Sequence, residues 1–156
     1  MRPARTPVGL HLAQATRIIS RAFDDALAEA GGSLPVWLVL LNLKANPRGS
    51  QRQIADAIGV SEATLTHHLN AMDADELVTR RRDPANRRVH LVELTEAGEA
   101  AFTRLRNAAV GFDRRLRRGI PEAEIQRLQG LLDRLAINAG AQPEHSGPPG
   151  AGLLPG

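Results

Sequence analysis

SQRQIADAIGVSEATLTHHLN, residues 50–70, has the pattern of two short helices joined by a tight turn. Ser50 and Gln53 have capping-box spacing, in which each side chain accepts a hydrogen bond from the other residue's backbone N–H. Gly59 stands where a helix ends in a residue of positive φ, which glycine adopts without a steric penalty. Ser61 is of the type that caps the next helix. The stretch therefore predicts a helix-turn-helix.

The second helix, predicted to end near Asp75, has two unlike faces. Side chains advance by about 100° per residue in a helix, so Leu65, Leu69 and Met72 share a packing stripe. The opposite face has small and hydrogen-bonding side chains that suit base edges in a DNA major groove. Its members are Ala63, Thr66, His67 and Asn70, and we expect Thr64 and His68 to flank it near phosphates. An ordinary αα-hairpin with a solvated polar face is the alternative.

The next segment, LVTRRRDPANRRVHLVEL (77–94), contains two strand-like runs around the turn formers of DPAN. It predicts a β-hairpin with Arg87 and Arg88 beside its tip. Arg80, Arg81 and Arg82 lie at its base. A helix-turn-helix followed by an arginine-tipped hairpin is typical of a winged helix, whose wing can enter the minor groove. A solvated charged surface is the alternative.

The order of QIADAIGVSEATLTHHLNAMDADELV, TRRRDPANRR and LVELTEAG resembles the MarR family of bacterial transcriptional regulators, across about residues 8–139. The LTEAG box, residues 94–98, opens a long helix straight after the wing, as in that family. The resemblance implies a mainly α fold with a small β-hairpin wing, that is, a winged helix-turn-helix joined to a helical dimerisation region. Arg88 matches the family's DNA-inserting wing arginine, and Arg87 stands next to it.

Two positions depart from the family pattern. Glu76 stands where glycine usually precedes the Leu-Val pair, so a non-glycine residue is expected in the left-handed turn. Asn86 replaces the aspartate that often precedes the wing's basic pair, which removes one partner of a salt bridge within the wing.

The chain divides into four predicted segments. They are an N-terminal dimerisation helix (1–32), the winged helix-turn-helix (33–94), C-terminal dimerisation helices (95–139) and a disordered Pro/Gly-rich tail (140–156). Thr6 and Pro7 form a predicted N-cap and first-turn pair for helix one, and Ser33 caps an almost wholly apolar second helix. The N-terminal helix and the last two helices have apolar stripes that one winged domain cannot cover. They predict a homodimer, with closure into a bundle within one chain as the alternative.

Composition and charge narrow the classes of function. The chain has no cysteine, which excludes disulfides and thiol switches. The sequence begins without a signal peptide and has no apolar run of membrane-spanning length, so we expect a cytoplasmic protein that does not enter a membrane. Residues 77–118 contain eleven arginines and five acidic residues. That surplus is typical of a surface that binds phosphates.

Enzymatic and metal chemistry find little support in the sequence. It has no Gly-rich phosphate loop, nucleophile motif or obvious acid pair, so we expect no enzyme and no cofactor. His67 and His68 point about 100° apart on a helix and cannot share a metal ion without distortion. We expect both to meet DNA instead, where histidine would make binding depend on pH.

Together with these observations, the family resemblance implies a homodimeric transcriptional regulator, most simply a repressor, bound to a pseudopalindromic operator in double-stranded DNA. Arg52, Thr64 and His68 would contact phosphates, with Arg81 at the base of the wing. The resemblance also implies release by a small, often phenolic or aromatic, effector. Its candidate contacts are Arg17, Arg21, Trp37 and Phe112. An architectural DNA-binding dimer without a ligand and a sensor with a protein partner are the alternatives.

Overall fold

The computed structural model describes residues 6–141, which form six helices and a small sheet. The helices are α1 (Val8–Glu29), α2 (Leu34–Ala45), α3 (Gln51–Ile58), α4 (Glu62–Ala74), α5 (Glu96–Leu116) and α6 (Glu122–Asn138). The strands are β1 (Gly49–Ser50), β2 (Val78–Arg82) and β3 (His90–Leu94). The mainly α fold with a winged helix-turn-helix is confirmed. Most of the predicted disordered tail, residues 142–156, lies outside the described residues.

The sheet has three antiparallel strands in the order β1-β3-β2, whereas the sequence predicted a two-stranded hairpin. Gly49 pairs with Val92 and Ser50 with Leu91. Gly49 therefore belongs to a strand that the sequence did not predict. Two residues are too few for a period-two pattern, and β1 exists only because folding brings it beside β3.

The helix-turn-helix has the predicted capping. The Ser50 Oγ accepts from the Gln53 N–H at 3.2 Å, and the Gln53 side chain accepts from the Ser50 N–H at 3.0 Å. Gly59 ends α3 at φ 75°, in the left-handed region. The Ser61 Oγ accepts from the Thr64 N–H at 3.1 Å and begins α4. Both helix starts are thus set by local side chains, as the sequence predicted.

The start of α1 differs from the prediction. Pro7 occupies the N-cap position and Val8 is the first helical residue, so Thr6 does not cap the helix. Proline was expected inside the first turn, because its φ suits a helix. Here its extended ψ of 136° places it just outside. The first turn consequently lacks a side-chain cap.

A continuous core fills the winged part of the chain. Buried side chains from α2, α3, α4 and the sheet meet there, together with residues of α5. The largest fully buried members are Leu27, Leu40, Leu43, Ile54, Leu65, Leu69, Met72 and Leu105. Among residues 6–141, the buried set contains apolar side chains alone. Burial on this scale is the main source of stability for the fold.

The turn from α4 into the wing is joined directly to the start of α5. Glu76 has φ 58°, which confirms that a non-glycine residue occupies the left-handed turn. The Thr95 hydroxyl donates to the Glu76 carbonyl oxygen and accepts from the Gly98 N–H. A Cβ atom on Gly98 would lie 2.0 Å from the Leu77 carbonyl oxygen. The LTEAG box therefore needs its threonine as a cap and its glycine for close packing.

Helix α5 also packs against α1 and α2. The Trp37 ring stacks on Phe102 with centroids 5.6 Å apart, and Phe23 meets Phe112 at 5.1 Å. Trp37 is thus a core residue of the α2–α5 contact, with 4% of its surface exposed.

The two ends of the described chain are far less buried. From Val8 to Ala22, every residue of α1 is exposed or half-buried, and the same is true of all of α6. Large apolar side chains lie at these surfaces. They include Val8, Leu10, Leu12, Ile18, Ile19, Leu128, Leu131 and Ile137.

Within residues 6–141, no single helix is both long and apolar enough to cross a membrane; α1 and α2 meet that test only together, across a 76° bend.

Candidate nucleic-acid interface

Helix α4 has one buried face and one exposed face. Leu65, Leu69 and Met72 are buried in the core. Ala63, His67 and Asn70 point away from the core and are exposed. The exposed face has a methyl group, an imidazole and an amide, which can approach base edges closely. His68 is half-buried on the flank, with its ring 5.9 Å from that of His67.

Two threonines of α4 make hydrogen bonds that the sequence did not reveal. The Thr66 hydroxyl donates to the Glu62 carbonyl oxygen at 2.9 Å, and its oxygen faces the Gln51 amide at 3.4 Å. The Thr64 hydroxyl lies 2.9 Å from the Ser61 hydroxyl. Thr66 is therefore half-buried at the α3–α4 contact. Its hydroxyl proton is already used within the protein.

Hydrogen bonds within the wing turn order its tip. The Asp83 carboxylate accepts from the Ala85 N–H at 2.9 Å, and the Asn86 side chain accepts from the Arg88 N–H at 3.2 Å. The Asp83 N–H donates to the Val89 carbonyl oxygen at 2.9 Å. Asn86 thus orders the tip through the backbone. Arg87 and Arg88 are exposed on a shaped turn.

One carboxylate at the base of the wing holds two arginines. Arg81 donates two hydrogen bonds to Glu93, the shorter at 2.8 Å, and Arg48 lies 3.4 Å from the same carboxylate. The hydrogen bonds from Arg81 lower the pKa of Glu93 below its ordinary value. The same hydrogen bonds raise the pKa of Arg81. Arg81 is thus partly neutralised, in contrast to the wing-tip arginines.

The arginine surplus of residues 77–118 does not form one surface. Five of the eleven arginines lie on β2 or the wing turn, and the others lie on or just after α5. Arg117 there pairs with Asp113 and Glu122. Arg52 is exposed in the first turn of α3, beside α4, which is the predicted recognition helix. The surplus beside α4 is therefore carried by the wing and Arg52.

The comparison with known families agrees with this geometry. A model described as the MarR family matches residues 33–90, the segment from Ser33 at the α2 cap to His90 in β3. This match and the solved structures below support a winged helix fold of the MarR type. The broad function of that family is transcriptional regulation.

Solved structures of transcriptional regulators have the same fold across most of this chain. A transcriptional repressor, CouR, bound to a 23-mer DNA duplex, is 27% identical with a TM-score of 0.76, covering 83% of this chain and 92% of CouR. A probable transcriptional regulator from Pseudomonas aeruginosa is 27% identical with a TM-score of 0.73, covering 85% and 99% of the two chains. BpsR of Bordetella bronchiseptica, whose DNA binding is regulated by 6-hydroxynicotinic acid, is 22% identical with a TM-score of 0.76, covering 91% and 99%.

The four candidate effector contacts lie in three places. Arg17 and Arg21 line an open cavity of about 280 Å³ along the exposed side of α1. Phe112 borders a separate groove of about 410 Å³ between α1 and α5. Trp37 is enclosed in the core. Within one chain, the structure does not bring these side chains into a common cavity.

Sequence reasoning missed several polar residues beside the recognition helix. Gln51, Asp73, Arg80 and His90 border an open cleft together with Thr66. Strand alternation and hairpin register could have placed Arg80 and His90 on one face, but the length of the wing turn had to be known first. Within residues 6–141, no three His, Asp or Glu side chains lie close enough together to hold a metal ion.

Proposed function

We propose that this protein is a homodimeric, sequence-specific DNA-binding transcriptional regulator, acting as a repressor that a small ligand releases. The observation that carries the proposal is the pairing of two surfaces. One is the small, polar outer face of α4, and the other is the ordered wing tip with Arg87 and Arg88 exposed. Such a pair fits a major groove and its neighbouring minor groove.

On α4, Ala63, His67 and Asn70 would face bases, because they form its exposed face. Thr64, His68 and Arg52 would lie toward phosphates on its flanks. Thr66 would add its methyl group and not a hydroxyl donor, since that proton is bonded to Glu62. CouR, which has the same fold and was solved on a DNA duplex, supports DNA binding by this fold.

The second part of the proposal is the homodimer. Exposed leucines and isoleucines recur along α1 and α6, among them Ile18 at 71% and Leu128 at 50% exposure. Clustered exposed apolar side chains are typical of a surface that binds another protein surface. A two-fold axis through this region would place two copies of α4 in successive major grooves. The half-sites of a pseudopalindromic operator would then lie about one helical turn apart.

The third part is the ligand switch. BpsR, a protein of the same fold, responds to 6-hydroxynicotinic acid, which supports an aromatic acid as the class of effector. Arg17 and Arg21 could pair with its carboxylate, and aromatic rings near Phe112 or Trp37 could pack against its ring. Such a ligand would release DNA only if it binds more tightly to a dimer whose two α4 helices do not match the spacing of the half-sites. We propose no enzymatic activity.

The test is a fluorescence-anisotropy titration at physiological salt with the DNA upstream of the protein's own gene and with a scrambled duplex. The proposal predicts tight binding to the upstream duplex alone, and release by salicylate as a generic aromatic acid. Equal, weak binding to both duplexes would favour an architectural DNA-binding dimer. Absence of binding to either would favour a sensor with a protein partner.

The wing is tested separately by Arg88→Ala. Removing one phosphate-neutralising arginine should weaken binding and lower the slope of log affinity against log salt by about one unit. Arg118→Ala, beyond the end of α5, is the matched control and should leave both quantities unchanged. An Arg88→Ala protein with unaltered affinity and slope would exclude the wing from DNA binding.

A further inference from the structure

An open cleft separates the recognition helix from the wing. Its lining residues are Gln51 on α3, Thr66 and Asp73 on α4, Arg80 on β2 and His90 on β3, and its volume is about 530 Å³. The DNA contacts proposed above include only Thr66 among these residues. The cleft is therefore a part of the surface without an assigned role.

The register of the hairpin places two arginines and a histidine on the side of the wing that faces the cleft. Arg80 pairs with the buried Val92, and Arg82 pairs with His90. Directly paired residues of antiparallel strands point to the same face, as do alternate residues along a strand. Arg80, Arg82 and His90 therefore share the helix-facing side of the sheet, while Arg81 and Glu93 are on the other side.

Most polar groups in the cleft are hydrogen-bond donors. Its one acidic residue, Asp73, is already paired with Arg80. Asp73 accepts from Arg80 at 3.0 Å, which ties the end of α4 to β2 and fixes the width of the cleft. The Gln51 amide group lies 3.4 Å from the Thr66 hydroxyl oxygen through one of its two N–H bonds. The second Gln51 N–H, the Arg80 guanidinium and the His90 ring can donate to an anion.

We propose that this cleft binds a phosphodiester of the DNA backbone, with Gln51, Arg80 and His90 as the contacting residues and Thr66 as a positioning residue for Gln51. The proposal rests on the function proposed above. If α4 occupies a major groove and the wing tip enters the adjacent minor groove, the strand that separates those grooves must cross between them. The cleft lies between those two elements. A phosphate there would set the register of the helix without reading sequence.

The experiment combines protein variants with neutralised phosphates. Gln51→Ala and His90→Ala are compared with wild-type protein on the upstream duplex, and His11→Ala on the exposed N-terminal helix is the control. Single methylphosphonates, which remove one backbone charge each, are placed in turn along the strand between the half-site and the adjacent minor groove. Anisotropy gives the affinity of each pair. Thermal melting followed by circular dichroism confirms that each variant is folded.

Each cleft variant should weaken binding to the unmodified duplex about two- to tenfold, as for loss of one hydrogen bond. At one phosphate position, neutralisation should weaken DNA binding by the wild-type and His11→Ala proteins. The further loss of affinity should be smaller for the two cleft variants, because they already lack a contact to that phosphate. Equal losses for all four proteins at every position would exclude the cleft site and leave the regulator proposal intact. If the wild-type protein binds neither duplex, the proposed function and the cleft site fail together.

Discussion

The winged part of the molecule and its two ends differ in how completely one chain buries them. Residues of α2, α3, α4 and the sheet surround a continuous core in which Leu40, Leu65 and Leu69 are fully buried. Helix α6 and the first two thirds of α1 instead keep apolar side chains at the surface, with Leu128 half exposed. The winged part is thus complete as a monomer. The ends leave apolar side chains exposed, and the proposed dimer would cover them with a second copy of this chain.

The largest difference in stability between the two regions should appear when a buried leucine and an exposed leucine are each replaced by alanine. Leu69→Ala removes a fully buried side chain and should lower the free energy of unfolding by about 2–5 kcal/mol at any protein concentration. Leu128→Ala should act through association, so its effect should shrink as the protein is diluted. Urea denaturation over a range of protein concentrations measures both. A concentration-independent loss at Leu128 would show that α6 packs within its own chain.

The join between the regions is tested by Gly98→Ala. The added methyl group would meet the Leu77 carbonyl oxygen at 2.0 Å, and the backbone there cannot yield without shifting α5. We expect a loss of about 3 kcal/mol in the free energy of unfolding. Gly111→Ala, later in the same helix with open space around it, should gain up to about 1 kcal/mol. Thermal or urea denaturation gives both values, and equal effects would remove the packing role of Gly98.

A smaller effect is expected at the turn that leads from α4 into the wing. Glu76 has φ 58°, so Glu76→Gly relieves a left-handed conformation at the cost of a more flexible unfolded chain. The net gain in unfolding free energy should be about 0.5–1 kcal/mol. Ala74→Gly, two residues earlier at the end of α4, is the control and should destabilise the protein. A destabilised Glu76→Gly protein would show that the glutamate has a role beyond the turn.

The smallest effect concerns the carboxylate that holds Arg81 and Arg48. Glu93→Gln should leave stability within about 0.5 kcal/mol, because exposed ion pairs contribute little. It should raise affinity for DNA of any sequence about two- to threefold and steepen the salt slope, since two arginines are released toward phosphates. Glu99→Gln on α5, which releases Lys44 of α2, is the control. Weaker DNA binding by Glu93→Gln would mean that the carboxylate orients Arg81 and does not compete with phosphate.

These regions also differ in how much the sequence revealed. Local chemistry predicted the capping box at Ser50 and the glycine turn at Gly59, because each depends on residues within a few positions. The left-handed Glu76 was expected from the family pattern, in which glycine usually stands at that position. The prediction of Thr6 as a cap was wrong by one residue, which is the usual uncertainty at helix ends. Strand β1 was missed because only its pairing with β3 defines it.

The sequence predicted which side chains of the candidate site are exposed, but not which hydrogen-bond partners they have. Helical periodicity placed Ala63, His67 and Asn70 outward, and hairpin turn chemistry placed Arg87 and Arg88 at the wing tip. The hydrogen bond from Gln51 to Thr66 and those from Arg81 to Glu93 depend on how separate elements pack. The expected roles of the four effector contacts stay predictions, because a ligand site between two copies leaves no pattern within one sequence.

Sedimentation velocity of the protein mixed with a labelled duplex from its own upstream DNA tests the central claim most directly. The account predicts that the free protein sediments as a dimer and that one duplex carries two chains. A scrambled duplex of the same length should sediment unbound at the same salt concentration. A monomeric protein that leaves the upstream duplex unbound would contradict both the role of the exposed ends and the DNA-reading surface.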